Sequence, residues 1–168
     1  VILLTTYKDP PLLKDILESI KRTEYSNFEL LIVDCNSSSV HQVLEVAELP
    51  VPVCYVSIEK DEGAGSQVNR GMLLAMNRDA KYMVRLEGDA IPLNHEWLRE
   101  LVNVMESDKT IAIAMPFDLD RNGNIGYGGK LYGNCTYYIF SEPPSSKIVP
   151  CLGTGGHCFI TKRNYIEE

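Results

Sequence analysis

No stretch of the 168-residue chain approaches the apolar length of a membrane span, and no basic, apolar and small-residue series marks a signal peptide. Those absences set the expectation of a soluble, cytoplasmic protein with no membrane span. Basic residues are also scarce: 16 Lys plus Arg stand against 23 Asp plus Glu, for a net charge of −7. No basic stripe is available to displace counterions, so nucleic acid is not an expected partner. An acidic protein that handles phosphates needs a metal bridge instead. The five cysteines, Cys35, Cys54, Cys135, Cys151 and Cys158, form no CxxC pair and sit mostly inside apolar runs. They read as buried free thiols rather than a zinc site, with a disulfide left open for a hyperthermophilic source. Aromatic residues make up only 8% of the chain, yet 45% is apolar, enough for one full core without staples.

What is present is an alternation of short apolar runs with amphipathic stretches. Val1 to Thr6 is an unbroken apolar run ending in polar residues, as expected of a strand buried on both faces of a parallel sheet. Asp9-Pro10-Pro11 follows, with Asp9 placed to cap a helix whose apolar positions are Leu12, Leu13, Ile16, Leu17 and Ile20. Strands are predicted at Phe28–Asp34, Val51–Ile58, Lys81–Leu86 and Thr110–Met115, and helices at Val40–Glu48, Ser66–Arg78 and Trp97–Met105, the last opened by Asn94. Strands alternating with helices imply right-handed crossovers and an α/β fold of three layers, α/β/α, around a mostly parallel Rossmann-like sheet. From Asn122 the texture changes. Glycines and Tyr- and Ile-rich segments up to Phe140 suggest a small antiparallel ribbon or lid, followed by a loop at Pro143–Ser146. Short strands are expected at Lys147–Pro150 and His157–Thr161, with a final helix from Lys162.

Arg85-Leu86-Glu87-Gly88-Asp89-Ala90 carries two carboxylates one residue apart at the end of an apolar strand. A hard cation such as Mg²⁺ or Mn²⁺ takes one or two protein carboxylates plus substrate phosphates, and Glu87 and Asp89 are suited to that. Gly88 lets the chain turn where the second carboxylate must swing in. The triplet alone is weak evidence, since such carboxylate pairs also occur in solvated turns. Its surroundings strengthen it. In an open parallel sheet ligands bind at the carboxyl ends of the strands, and there the chain puts Thr5, Thr6 and Tyr7, Asp34 to Ser39, Glu59 to Asp61, and Glu87 with Asp89.

In this order the motifs resemble the family 2 glycosyltransferases of the GT-A fold, within the nucleotide-diphospho-sugar transferase superfamily. Four stations carry the resemblance: Val1 to Tyr7 with Leu17-Glu18-Ser19-Ile20, Tyr25 to Asp34, Gly63 to Gly71 with Asn69, and Glu87-Gly88-Asp89. Gly156 to Arg163 looks like the family's later acceptor-side strand. The resemblance implies a single GT-A domain over residues 1–168, with a nucleotide-binding half at 1–115 and an acceptor-side half at 116–168 that is truncated. It implies that Thr5, Tyr7 and Asp34 line the nucleoside pocket and that Gly63 to Asn69 closes over it. Glu87 would lie near the ribose or a metal-bound water, and Asp89 would ligate Mn²⁺ or Mg²⁺, with His157 either completing the metal shell or serving the structure. The expected donor is a nucleotide diphosphate sugar, hexosyl or deoxyhexosyl, and the acceptor a glycan, lipid or protein. The expected chemistry is inverting transfer.

Four departures from the family pattern bear on that reading. Asp34-Cys35 stands where many members have two aspartates, which leaves the base open; Val68-Asn69 replaces Arg-Asn, a form closer to rhamnosyltransferase-type members. Glu87 replaces the first Asp of the metal motif and lengthens one ligand arm. The family's general base lies in an acidic motif beyond the equivalent of Arg163, and the sequence closes at Glu167-Glu168 before it. Asp118 and Asp120 are the best internal candidates for that base, with Glu167 weaker. Two rivals stay open. One is a non-catalytic nucleotide-sugar or glycan-binding module of the same fold. The other is a nucleotidyltransferase, which would want a Gly- and Lys-rich triphosphate loop where the chain has Thr5 to Asp9. Gly63-Ala64-Gly65 lacks the third glycine of a dinucleotide fingerprint, disfavouring a nicotinamide enzyme.

Overall fold

A computed structural model describes residues 1–120, 122–127 and 155–165. The expected segments at 128–154, with Cys135 and Cys151, and the tail with Glu167 lie outside them. Four parallel strands, β1 (Ile2–Tyr7), β2 (Leu30–Cys35), β3 (Val53–Ile58) and β4 (Tyr82–Glu87), alternate with helices α1 (Leu13–Lys21), α2 (Val40–Ala47) and α3 (Ala64–Met76). Helix α4 (Trp97–Ser107), the short strands β5 (Ile113–Ala114), β6 (Asp118–Leu119) and β7 (Ile125–Tyr127), strand β8 (Cys158–Lys162) and a 3-10 turn at Arg163–Tyr165 follow. No helix among the described residues is long and apolar enough to cross a membrane.

The main sheet has the order β3-β2-β1-β4-β8-β5. Strand β8 runs antiparallel to both β4 and β5, so five strands share one direction and β8 opposes them. A strand buried on both faces shows a continuous apolar run, and β1 and β2 do so: Ile2 to Leu4 and Leu30 to Val33 are fully buried. Alternation then sorts their side chains. Ile2, Leu4, Leu30, Ile32, Val84, Leu86 and Ile160 pack against α1, α2 and α4 through Ile16, Leu17, Ile20, Val40, Leu98 and Met105. Leu3, Leu31, Val33 and Met83 face the other way, where Ala75 of α3 meets them. The result is the expected α/β/α sandwich, with α1, α2 and α4 on one face and α3 on the other among the described residues.

Several local expectations shift. Asp9 does not cap α1, whose N-cap Leu12 makes no side-chain cap bond; its carboxylate reaches across to the start of α2. The fifth strand is confined to Ile113–Ala114, which pair with Thr161 and Ile160 of β8, and the chain after Lys162 makes a 3-10 turn. Helix α3 begins at Ala64, two residues early, because Gly63 at φ 87° supplies a left-handed entry that other residues adopt only at a cost. Of the ribbon expected from Asn122 to Phe140, the described residues include β7, which pairs antiparallel with β6 just before that span; the rest lies outside them.

Candidate functional site

Strand order reverses direction of growth at β1, which has β2 on one side and β4 on the other, and the crevice beyond the carboxyl ends of those strands is where such sheets bind ligands. Tyr7 ends β1 and Glu87 ends β4, with Thr5 opposite Glu87 in the register. Gly88 follows, and a Cβ there would sit 3.0 Å from the Thr5 carbonyl oxygen. The absence of a side chain lets the β4 terminus lie against β1 and deliver Asp89 to the crevice.

On the β1–β2 side Asp34 is fully buried. Its Oδ1 accepts hydrogen bonds from the hydroxyls of Thr6 and Ser37, both at 2.6 Å, and its Oδ2 accepts one from Tyr55 at 3.1 Å. Asp34 thus joins β1, β2, β3 and the turn after β2. Tyr7, 42% exposed, donates its hydroxyl to Asp61 Oδ2 at 2.7 Å, and the Gly63 amide donates to Asp61 Oδ1 at 2.9 Å. Those bonds hold the Asp61 carboxyl below its usual range. Asn69 lies exposed on α3, while its neighbour Gln67 is buried and donates to the carbonyls of Thr6 at 2.6 Å and Val33 at 2.7 Å.

Across β4 the chain returns as β8, and the Glu87 amide donates to the His157 carbonyl at 2.9 Å. Arg85, whose side chain is 11% exposed, pairs with Glu87 Oε1 at 2.5 Å and donates to the Gly156 carbonyl at 2.5 Å. His157 Nδ1 lies 3.0 Å from Asp118 Oδ2. Partial burial raises the Asp118 carboxyl above its usual range; the hydrogen bond to His157 opposes this, and the charges of Glu87 and Asp89 add to it. So Glu87, Asp89, Asp118 and His157, distant in sequence, share one rim. Asp120 does not join them. Its carboxylate accepts from the Asn122 and Asn124 amides and the Asn124 side chain, which closes the β6–β7 turn and lowers its pKa.

Among the described residues no three His, Cys, Asp or Glu side chains form a ready metal cage. A divalent ion that binds through one or two carboxylates and substrate phosphates does not require one. Exposed Asp89 offers the hard oxygen donor, and the negative field felt by Asp118 is one that a cation would relieve. Glu87 is already drawn to Arg85, which suits a supporting position better than direct ligation.

Sequence reasoning missed Arg85, Gln67 and the true destination of Asp9. A charged residue in an otherwise apolar strand was the available signal for Arg85; no local pattern announces the long-range partners of Gln67 or Asp9.

A mostly parallel sheet flanked by helices on both faces, with carboxylate-bearing loops at its switch point, defines an α/β protein of the GT-A kind. The particular family is shown by sequence: the model described as Glycosyl transferase family 2 matches residues 1–168, and the chain belongs to that family. No curated protein matches it in sequence. Among solved structures it is similar to residues 1–349 of S. aureus TarS, at TM-score 0.67 and 15% identity over 99% of this chain and 47% of that one. A longer S. aureus TarS structure gives TM-score 0.55 and 17% identity over 63% of this chain and 19% of that one. A cytidylyltransferase from Leptospira borgpetersenii gives TM-score 0.55 and 15% identity over 99% of this chain and 61% of that one. These likenesses show the fold, and the chain spans less than two thirds of each of the three.

Proposed function

We propose that this chain carries the donor-binding and transfer site of a metal-dependent, inverting glycosyltransferase, moving a hexosyl or deoxyhexosyl group from a nucleotide diphosphate sugar to an acceptor hydroxyl. One observation carries the reading: in a family 2 chain, Asp89 and Glu87 stand at the end of β4 beside the exposed Tyr7 at the end of β1. Tyr7 would pack on the base, Thr5 and the Asp34-anchored turn would floor the nucleoside pocket, and Gly63 to Asn69 would flank it. Asp89 would hold Mn²⁺ or Mg²⁺, with Glu87 behind it and His157 near. That ion would supply Lewis-acid stabilisation of the departing diphosphate.

Asp118 is the proposed base. It removes the acceptor proton while the acceptor oxygen bonds to the anomeric carbon from the face opposite the leaving group. The bond from that carbon to the diphosphate oxygen breaks, with its electron pair leaving on the phosphate. Asp120 is occupied by its own turn and is the poorer choice. The Asp118–His157 contact supports a second reading, in which Asp118 orients His157 toward a metal, as carboxylates often do for ligating histidines.

The test is binding of UDP, GDP and dTDP with and without Mn²⁺, paired with release of nucleoside diphosphate from the corresponding sugar donors in a pool of acceptors. Metal-dependent binding of one nucleotide and acceptor-stimulated release support the transferase. Binding without release favours the non-catalytic module, and pyrophosphate formation from a nucleoside triphosphate and a sugar phosphate favours a nucleotidyltransferase. Asp118→Asn should abolish turnover and spare Mn²⁺-dependent nucleotide binding if Asp118 is the base. Loss of both would favour its role behind His157.

A further inference from the structure

We propose that Asp9 is a positioning residue for the donor pocket, a clasp that fixes the bend after β1 and thereby the aim of Tyr7. The inference rests on the donor-site reading above and deepens it. Directly after Tyr7 the backbone turns through two consecutive left-handed residues, Lys8 at φ 49° and Asp9 at φ 52°. Neither is glycine, so the bend is strained and persists only where surrounding contacts over-determine it. The Lys8 amide donates to the Cys35 carbonyl at 3.2 Å, and the remaining hydrogen bonds that hold the bend are those of Asp9. Its carboxylate accepts from the Ser38 amide at 2.9 Å and hydroxyl at 2.7 Å, and from the Ser39 amide at 2.7 Å and hydroxyl at 2.8 Å. Its own amide donates to Ser37 Oγ at 2.9 Å, and Ser37 in turn donates to Asp34.

The clasp also closes the opposite end of the contact. Ser39, the N-cap of α2, makes no side-chain cap bond, and the amides of Ser38 and Ser39, which lead into that helix, take their acceptor from Asp9, thirty residues from Ser39. Asn36, likewise left-handed at φ 60°, shapes the turn that presents those donors. The β1 bend and the β2 turn therefore hold each other through Asp9 above and Asp34 below. Tyr7 comes directly before that clasp, and its own hydroxyl is tied to Asp61.

The experiment measures Asp9→Ala and the double variant Ser38→Ala/Ser39→Ala by titration with UDP, GDP and dTDP, each with and without Mn²⁺, beside Asp89→Ala. Folding is checked by circular dichroism, and exchange of the Ser38 and Ser39 amides is followed. Asp9→Ala should weaken the bound nucleotide about tenfold, and the double variant less because the backbone donors remain. The ratio of affinities with and without Mn²⁺ should stay at the wild-type value in Asp9→Ala and collapse in Asp89→Ala. A merely destabilised fold would not separate the two terms in this way. A folded Asp9→Ala protein that binds like wild type, or that loses the metal ratio rather than the base affinity, overturns the proposal. If the wild-type protein binds none of the three nucleotides, the donor-site reading fails and with it the pocket role of Asp9. The clasp then stands or falls as a loop device on whether protected Ser38 and Ser39 amides lose protection in Asp9→Ala.

Discussion

On the β1–β2 side of the rim the carboxylates of Asp34 and Asp9 are filled by hydroxyls and amides of the chain itself, whereas on the β4–β8 side Asp89 is exposed with no hydrogen bond or ion pair among the described residues. A charged group is costly to leave unsatisfied where water is excluded, so buried Asp34 must be met by protein donors, while exposed Asp9 takes them at the β1 bend and exposed Asp89 needs none. The first side is therefore built before any ligand arrives, and the second keeps a charge in reserve. Under the proposed function, such a division would suit a donor whose nucleoside needs a shaped pocket and whose diphosphate needs a cation that Asp89 would hold.

The comparison breaks most visibly at Asp89. Asp89→Ala should lower turnover by at least about a hundredfold, the loss of several kcal/mol of leaving-group stabilisation, while thermal unfolding stays at the wild-type midpoint. Wild-type transfer rates in Mn²⁺ would remove the metal role. Asp34→Ala should do the reverse in stability, costing about 2–4 kcal/mol in urea unfolding because three hydroxyls lose their acceptor inside the protein. If that variant unfolds like wild type, the β1–β2 side is not prebuilt.

A smaller effect is expected with pH. The Ser39 and Ser38 donors hold the Asp9 carboxyl well below the usual carboxylate range, so its folded-state pKa is depressed relative to the unfolded chain. Its contribution is present above the unfolded value and lost as pH falls through and below it. Unfolding midpoints measured between about pH 5 and pH 2 should therefore drop more steeply in wild type than in Asp9→Asn. Parallel curves would show that the clasp contributes nothing to folding. Smallest is the response of Cys158, whose thiol burial pushes up to about 12: alkylation by iodoacetamide near pH 8 should be slow in the native protein and fast after denaturation.

Much of the frame was legible because parallel strands write themselves as continuous apolar runs: Ile2 to Leu4 and Leu30 to Val33 are where they were expected, and the helices between them start within two residues of expectation. Local pattern cannot show which distant segment satisfies a polar group. Asp9 reads as a cap for α1 because prolines follow it, yet its acceptor oxygens serve Ser38 and Ser39 in the turn that leads into α2. Arg85 sits in an apolar strand with no local partner in the sequence but Glu87, and its second contact, Gly156, is 71 residues away. Likewise Asp118 and Asp120 look alike in the sequence. Only the hairpin turn separates them, by enclosing one and leaving the other beside His157.

Strand β5 has a further consequence, in the order of events during synthesis. Among the described residues it pairs only with β8, and β8 lies against β4, so a chain folding from its N-terminus can close β1 to β4 before the described partner of β5 is made. Until residues 158–162 emerge, the sheet ends at β4 and the edge beside Glu87 is open. The β1–β2 side of the rim can thus form before the β4–β8 side, which waits for a strand made some seventy residues later.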